Sequence, residues 1–337
     1  MDQVSSQQPG VASRPATARS SRLRRALPWG LFAASVVATA VLVWQRGEDL
    51  ALLDALDAAS VVGLVALQAL YLAVQSGRFH VVLVKLAGRS VGFWPWLQLF
   101  VLGRFLNLFV PQAGNVYRGV ELKRRFGIGY TRFVAAFVNA PWVAMVMNFL
   151  IGAVVVALAA PEARVGTWPL GLLLGLAALV TAAAPVLALP LLALVPQRWR
   201  ALAWLHTRLA ETLQVTLASL RDARYLARVL AWTLAAFVQA VALLWLCFVA
   251  LGADVGLAQA VAFYVLLQLS TYLAVTPGNL GLQELAFGFL ALGMGGGAVE
   301  GVVVSGLLRV TGVIALLLTA LPMGGVQALR ASRAAGA

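Results

Sequence analysis

The chain has 337 residues, of which 62% are hydrophobic and 11% charged, and its mean hydropathy is +0.90. Because a soluble domain carries about 25% charged residues, this composition excludes a soluble protein and a large catalytic domain outside the membrane. The net charge of +13 is spread over short loops, which argues against nucleic-acid binding and indicates membrane topology and contact with anionic lipid headgroups.

The first 25 residues contain five arginines and show no apolar periodicity. They are predicted to form a disordered, basic cytoplasmic tail. The apolar run that follows, 26–44, has spanning length and no obvious small-residue cleavage site. It is therefore interpreted as a retained first helix rather than a signal peptide.

Five further apolar runs are spanning candidates, since crossing about 30 Å of hydrocarbon takes about 20 helical residues. Trp or Tyr often lies near one end of a run, as in interfacial belts. The sequence predicts an all-α, polytopic membrane protein with six to eight transmembrane helices plus re-entrant or broken helices. We expect one integral membrane domain over 26–325 and a cytoplasmic tail at 326–337. The five runs are 60–76, 133–160, 168–195, 229–251 and 302–323.

Within the long loop between two of these runs, leucines recur every three or four residues, with arginine, glutamate and glutamine between them. This spacing predicts an amphipathic cytoplasmic helix over about 198–222 that lies on the inner membrane face. It is interpreted as a structural connector, with docking of a partner enzyme as the alternative.

Loop charges predict the orientation of the chain, because cytoplasmic loops carry an excess of Lys and Arg. The basic N-terminal tail is followed, after the first run, by an acidic loop. The loop after the second run, with Arg78, Lys85 and Arg89, the long loop at 196–228 and the C-terminal tail are all basic. Both termini are therefore expected in the cytoplasm, in a bacterial inner membrane. The segment 96–110 has basic residues on both sides and is too short to span, so it is predicted to be re-entrant.

A second irregular region covers 257–275 and 285–294 and is interrupted by a turn. It forms either two short spans or one broken hairpin. The second arm has only about ten strongly apolar residues, fewer than a span needs, which favours the hairpin.

Both irregular segments share a short pattern of an apolar run, a proline, then Gly-Asn, then a charged residue seven positions after the proline. Proline removes a backbone donor and glycine permits unusual dihedral angles, so both segments are places where a helix breaks. Broken helices at membrane depth are tolerated where they face protein or a wet cavity. The pattern is that of an inverted repeat with a site between its halves, or of two unrelated turns. The predicted breaks are Pro111, Gly114, Pro277, Gly278 and Gly281.

Arg104, Glu284 and Arg309 are ionisable residues within or against apolar segments. Such residues are costly in a membrane and usually face a cavity or a partner. In the functional interpretation the arginines bind a lipid phosphate; in the structural one, Glu284 and Arg309 form an internal ion pair. The candidate substrate-binding residues are Arg104, Asn107, Asn115, Arg118, Asn279, Glu284 and Arg309.

Metal and cofactor chemistry has little support in the sequence. Cys247 is the single cysteine, and the two histidines, His80 and His206, lie far apart without a nearby carboxylate pair. No metal, cofactor or catalytic constellation is therefore expected.

The two motifs, together with Arg309 in the last run, resemble the flippase-like transmembrane domain family of lysylphosphatidylglycerol synthases. The resemblance covers the region from about the second span to the last. It implies translocation of a phospholipid or other lipid-linked headgroup between leaflets without nucleotide hydrolysis by the domain. Family members often carry a charged pair in the helix after the first motif, whereas residues 137–142 here contain no acid. The synthases' aminoacyltransferase domain has no counterpart in this sequence, so the resemblance does not imply aminoacyl-lipid synthesis.

The function favoured at this point is a lipid flippase or lipid transporter. Its expected partners are a membrane phospholipid or lipid-linked substrate, and no nucleic acid. A homo-oligomer and association with a lipid-modifying enzyme both stay open. The alternatives are a membrane-embedded enzyme acting on a lipid-linked substrate and a non-transporting scaffold for such an enzyme.

Overall fold

The computed structural model describes residues 53–110, 112–193, 221–272, 282–293 and 297–324, with Val41 and a few single positions between 207 and 218. Within these ranges the chain forms nine α-helices and one pair of two-residue strands. Strands β1 Arg164–Val165 and β2 Trp168–Pro169 pair antiparallel between the fourth and fifth helices. The helices are α1 Ala58–Ala87, α2 Phe93–Phe109, α3 Ala113–Phe126, α4 Tyr130–Ala159, α5 Leu170–Ala193, α6 Ala223–Ala250, α7 Leu257–Tyr272, α8 Leu282–Gly293 and α9 Ala298–Ala320.

The predicted all-α membrane architecture is confirmed. Helices α1, α4, α5, α6 and α9 are long and apolar enough to cross a membrane, and they match the five spanning candidates after the first. The first candidate, 26–44, lies outside the described residues apart from Val41, as do both tails and most of the predicted amphipathic helix. The second span is longer than expected, because α1 has 30 residues and continues well beyond position 76.

Several helix ends meet at one end of the molecule, which we call the basic end. The Lys85 ammonium group near the end of α1 lies 2.5 Å from the carboxylate of Asp222, the residue that caps α6. This hydrogen bond holds the pKa of the Asp222 carboxyl below its usual range. Arg132 of α4 donates to the carbonyl of Ala87 at 2.6 Å, and Arg89 donates to that of Phe126 at 3.2 Å. The cationic loops expected on the cytoplasmic side are thus gathered at one end.

Helices α2 and α3 form a hairpin whose two open ends both lie at the basic end. Gln98 near the start of α2 donates to the carbonyl of Met323 after α9 at 3.0 Å, and α3 ends at Phe126. The hairpin helices have 17 and 14 residues, too few to cross about 30 Å of hydrocarbon. This geometry agrees with the re-entrant segment expected over 96–110.

The tip of the α2–α3 hairpin is tightly built. The Asn107 side-chain oxygen accepts a hydrogen bond from the Gly114 amide at 2.7 Å. Gln112, which caps α3, has a left-handed backbone with φ of 66°. The two helices cross with backbone against backbone, since a Cβ atom on Gly114 would overlap the carbonyl oxygen of Gly103. Pro111, the predicted break, lies outside the described residues.

Helices α7 and α8 form the second short pair, with 16 and 12 residues. Their outer ends lie opposite the basic end, because α7 follows the far end of α6 and α8 ends just before α9 begins. The two pairs therefore extend into the molecule from opposite ends, as an inverted repeat requires. The turn with Pro277, Gly278, Asn279 and Gly281 lies outside the described residues, and the repeat itself stays a prediction.

Helix α1 packs against α2, α4, α6 and α9 and lies at the centre of the bundle. Large buried side chains fill the contacts around it, among them Trp96, Phe100 and Phe287. Many apolar side chains point outward instead, such as Leu158 at 79% and Phe289 at 70% exposure. Since lipid tails are as apolar as these side chains, helix association in a membrane depends on close packing and interhelical hydrogen bonds.

Replacing Gly114 with alanine is expected to lower the free energy of unfolding by about 1–3 kcal/mol, the cost of forcing extra volume into a packed contact. The measurement is thermal unfolding in detergent. Gly63→Ala is the matched control, because a Cβ atom at Gly63 has no neighbour within 4 Å. Equal midpoints for the two variants would contradict the close crossing.

Candidate functional site

A cavity of about 480 Å³ lies inside the bundle and is lined by residues from α1, α2, α4, α6, α7, α8 and α9. Both short helix pairs contribute to it. Eight lining residues are apolar or proline: Pro141, Ala144, Ala240, Leu243, Leu244, Leu267, Phe287 and Leu308. Ten lining residues are polar or charged: Gln68, Tyr71, Gln75, Arg78, Arg104, Asn148, Tyr264, Gln268, Gln283 and Arg309.

Helix α1 supplies four of the polar lining residues: Gln68, Tyr71, Gln75 and Arg78. Their spacing of three or four residues places them on one face of the helix over about 15 Å. The Gln75 amide donates to the Tyr71 hydroxyl at 2.6 Å, and the Gln68 amide donates to the carbonyl of Leu308 at 3.0 Å. Sequence reasoning missed this polar face, although its periodicity within an apolar run was the available signal.

Three arginines line the cavity. Arg78 is 9% exposed, and its place within α1 corrects the sequence interpretation, which counted it in a cytoplasmic loop. The error arose because the predicted span stopped at position 76, whereas α1 continues to Ala87. Arg104 comes from α2, where its guanidinium lies 5.6 Å from the Phe100 ring centre, and Arg309 comes from α9.

Arg309 forms an ion pair with Glu284. The Arg309 Nη2 atom lies 2.7 Å from Glu284 Oε1, and it donates to Gln283 Oε1 at 3.4 Å. The side chains of Arg309 and Glu284 are 29% and 12% exposed. The internal ion pair considered from the sequence is therefore present, and it joins α8 to α9 at the edge of the cavity.

Arg118, in contrast, lies within the α2–α3 hairpin and does not line the cavity. It is 3% exposed, donates to the carbonyl of Gly114 at 3.2 Å and bonds the side-chain oxygen of Asn115. Its guanidinium lies 5.4 Å from the Phe100 ring centre and 5.8 Å from that of Phe137. This arrangement ties the hairpin to α4.

The candidate site residues thus fall into two groups. Arg104 and Arg309 lie on the cavity, with Glu284 bound to Arg309. A second group, within the hairpin, consists of Asn107, Gly114, Asn115 and Arg118. Asn279 and the breaks Pro111, Pro277, Gly278 and Gly281 lie outside the described residues.

The other polar residues within the apolar helices also differ in their surroundings. Asn148 and Gln268 line the cavity, and the Gln268 amide bonds the hydroxyl of Tyr264. Gln239 donates to the carbonyl of Leu67 at 3.1 Å. That bond joins α6 to α1, as expected of a helix-to-helix contact.

Other residues that could carry chemistry have structural contacts. His80 lies within α1, where its Nε2 atom bonds the carbonyl of Val91 at 2.6 Å. Cys247 is buried in α6. Among the described residues, no three His, Cys, Asp or Glu side chains come together as metal ligands would.

Replacing Arg118 with alanine is expected to lower the free energy of unfolding by about 2–4 kcal/mol, since it leaves buried acceptors unpaired and opens a cavity. Thermal unfolding in detergent measures the change. Arg124→Ala on the same helix is the control, because the Arg124 side chain is 69% exposed and its ion pair contributes little. A loss no larger than in the control would show that Arg118 does not stabilise the hairpin.

Comparison with known proteins identifies the family. The sequence model described as lysylphosphatidylglycerol synthase TM region matches residues 31–320, most of the chain. No curated protein and no solved structure gives a significant match. The matched range includes all nine described helices and every residue that lines the cavity. The chain belongs to the family of lysylphosphatidylglycerol synthase transmembrane regions.

Proposed function

We propose that this protein moves a phospholipid or a lipid-linked headgroup between the leaflets of the bacterial inner membrane. The observation that carries the proposal is the cavity between two short helix pairs that extend from opposite ends, lined by three arginines and a row of polar side chains. A polar cavity inside helices of spanning length suits a ligand whose headgroup is polar and whose tails are apolar.

The phosphate of the headgroup binds to the guanidinium groups on the cavity wall. Arg104 of α2 and Arg309 of α9 line the same cavity, so we expect one phosphate to be shared between them. Guanidinium groups bind phosphate oxygens by charge-assisted, two-pronged hydrogen bonds. The polar face of α1 offers further partners along about 15 Å of its axis, and the acyl chains stay among the lipids outside.

Glu284 gives the site a means of release. Glu284 pairs with Arg309 at 2.7 Å, so an arriving phosphate competes with this carboxylate for the guanidinium group. When the headgroup leaves, Glu284 binds Arg309 again. Arg309 is then never left without an anionic partner in a low-dielectric environment, which would be costly.

The side chains that line this cavity are better suited to transport than to catalysis. Arginine stays protonated and glutamine does not titrate, so most of the polar wall can bind a headgroup but cannot exchange protons with it. Glu284, which could act as an acid or base, is held by Arg309. Incubation with lipid is therefore expected to change the leaflet of the substrate and leave its covalent structure intact.

The basic end supports an orientation with this end in the cytoplasm. Both termini then lie on the cytoplasmic side, as the loop charges indicate. The α2–α3 hairpin extends from the cytoplasmic side and the α7–α8 pair from the other. The cavity can thus open to either leaflet when one of the two short helix pairs moves relative to the bundle.

The test is translocation of a fluorescent phosphatidylglycerol in proteoliposomes, measured by dithionite quenching of the outer leaflet. Arg309→Gln and Arg104→Gln are each expected to slow translocation by about tenfold or more, since each removes a charge-assisted contact of about 1.5–3 kcal/mol. Arg164→Gln is the control, because Arg164, in β1, is exposed and does not line the cavity.

Two results would contradict the proposal. One is wild-type protein that moves lipid no faster than protein-free vesicles. The other is an equal loss of translocation rate in Arg164→Gln and in the two cavity variants, which would show that translocation does not depend on the cavity.

A further inference from the structure

We infer that the headgroup carried by this protein bears several hydroxyl groups beside its phosphate, as glycerol or a sugar does. Asn148 and the two pairs Tyr71–Gln75 and Tyr264–Gln268 bind these hydroxyl groups. The inference rests on the proposed function and specifies its substrate class. It is carried by a buried amide without a hydrogen-bond partner and by neutral polar groups on three helices around the cavity.

Asn148 of α4 presents its amide group to the cavity. The residue is 5% exposed and lines the cavity. Its side chain forms no hydrogen bond within the part of the chain that the structure describes, and neither of its polar atoms is sealed inside the protein. Leaving a buried amide unpaired costs free energy. A ligand that pairs with both the nitrogen and the oxygen of this amide is therefore favoured.

Two tyrosine–glutamine pairs line the same cavity, one on α1 and one on α7. The residues of each pair are four positions apart and so are neighbours on one helix face. The Gln75 amide donates to the Tyr71 hydroxyl at 2.6 Å, and the Gln268 amide donates to that of Tyr264. A tyrosine hydroxyl that accepts such a bond can also donate its own proton. Tyr71 forms no other hydrogen bond among the described residues, so its proton can be donated to a ligand.

A phosphate group alone does not match these side chains. The Gln68 nitrogen donates to the carbonyl of Leu308 at 3.0 Å, and the Gln68 oxygen accepts no bond from the described residues. The oxygens of Gln68 and Asn148 therefore need a donor, and a phosphodiester only accepts hydrogen bonds. An ammonium group only donates and would leave the amide nitrogen of Asn148 unpaired. A hydroxyl group both donates and accepts, so it pairs with either end of an amide.

The cavity has room for such a headgroup. Its volume of about 480 Å³ lies within the range of small-molecule pockets and exceeds what one phosphate group fills. Arg104 and Arg309 line the same cavity as Asn148 and Tyr71. The phosphate can thus bind to the arginines while the hydroxyl groups bind to the neutral side chains.

The experiment compares three fluorescent lipids in wild-type proteoliposomes: phosphatidylglycerol, phosphatidylpropanol and phosphatidylinositol. The first two have the same charge and the same number of headgroup carbons and differ only in their hydroxyl groups. Once the rate in protein-free vesicles is subtracted, phosphatidylglycerol is expected to move about tenfold faster than phosphatidylpropanol, the effect of its additional hydrogen bonds. Phosphatidylinositol, with a ring of hydroxyl groups, distinguishes the two headgroup types. A rate above that of phosphatidylglycerol assigns a sugar-like headgroup, and a rate between those of the other two lipids assigns glycerol.

Two cavity variants test the assigned contacts. Asn148→Leu is expected to lower the rate ratio of phosphatidylglycerol to phosphatidylpropanol about fivefold, because it removes the amide and nearly preserves the side-chain shape. Tyr71→Phe, which removes one hydroxyl group, is expected to lower this ratio in the same way. Gln239→Leu is the matched control and should leave the ratio unchanged. Gln239 is a buried amide that bonds the carbonyl of Leu67 and does not line the cavity.

Thermal unfolding in detergent separates ligand binding by Asn148 from a role in packing. Asn148→Leu is expected to keep or raise the unfolding midpoint, because no hydrogen bond is lost. Gln239→Leu is expected to lower the midpoint, because it breaks the bond between α6 and α1. A lower midpoint in Asn148→Leu with an unchanged rate ratio would show that Asn148 serves packing and would overturn the inference. Since both lipids are measured in the same preparation, the fraction of folded protein cancels from the ratio.

The outcomes separate the inference from the proposed function. Equal rates for phosphatidylglycerol and phosphatidylpropanol, or an unchanged ratio in both cavity variants, overturn the inference and leave the proposed function standing. If no lipid moves faster than in protein-free vesicles, the proposed function fails. Native mass spectrometry of bound lipids then decides the inference. Retention of phosphatidylglycerol over phosphatidylpropanol supports it, and equal retention or no retention overturns it.

Discussion

The structure depends on one constraint: polar groups within hydrocarbon must find their partners inside the protein. Breaking a helix at membrane depth frees backbone groups, and contacts within the α2–α3 hairpin satisfy several of them. At the tip of the first hairpin, Asn107 accepts from the amide of Gly114, and Arg118 donates to the carbonyl of the same residue. The glycine contact between α2 and α3 brings the two backbones close enough for this arrangement.

The same constraint explains why the charged residues divide into two groups. Arg118 is enclosed by its hydrogen bonds and by two aromatic rings, so it stabilises the hairpin. Arg104 and Arg309 face a cavity, and Arg309 is balanced by Glu284. Under the proposed function, an anion bound at Arg104 and Arg309 leaves the contacts of Arg118 intact, and so does not loosen the hairpin beside it.

Sequence reasoning was most effective where periodicity and loop charge decide the structure. Hydrophobic runs of spanning length and the distribution of arginines located five helices and the basic end, because few other segments are stable in a membrane. It was less effective along α1. The predicted span ended at position 76, yet Arg78 and Lys85 both lie within this helix. Polar residues facing other helices do not end a membrane helix, and hydropathy alone does not show which way they face.

The sequence by itself therefore determined the fold class, the family resemblance, the helix breaks near Gly114 and the membrane-embedded charges. Only the tertiary structure decided which of those charges share a cavity. Arg78, Arg104 and Arg309 are far apart in the sequence, and Arg118 is closer to Arg104 than either of the others. Helix packing nevertheless places Arg118 inside the hairpin and brings the other three to one cavity, because the direction of a side chain depends on how its helix is rotated against its neighbours.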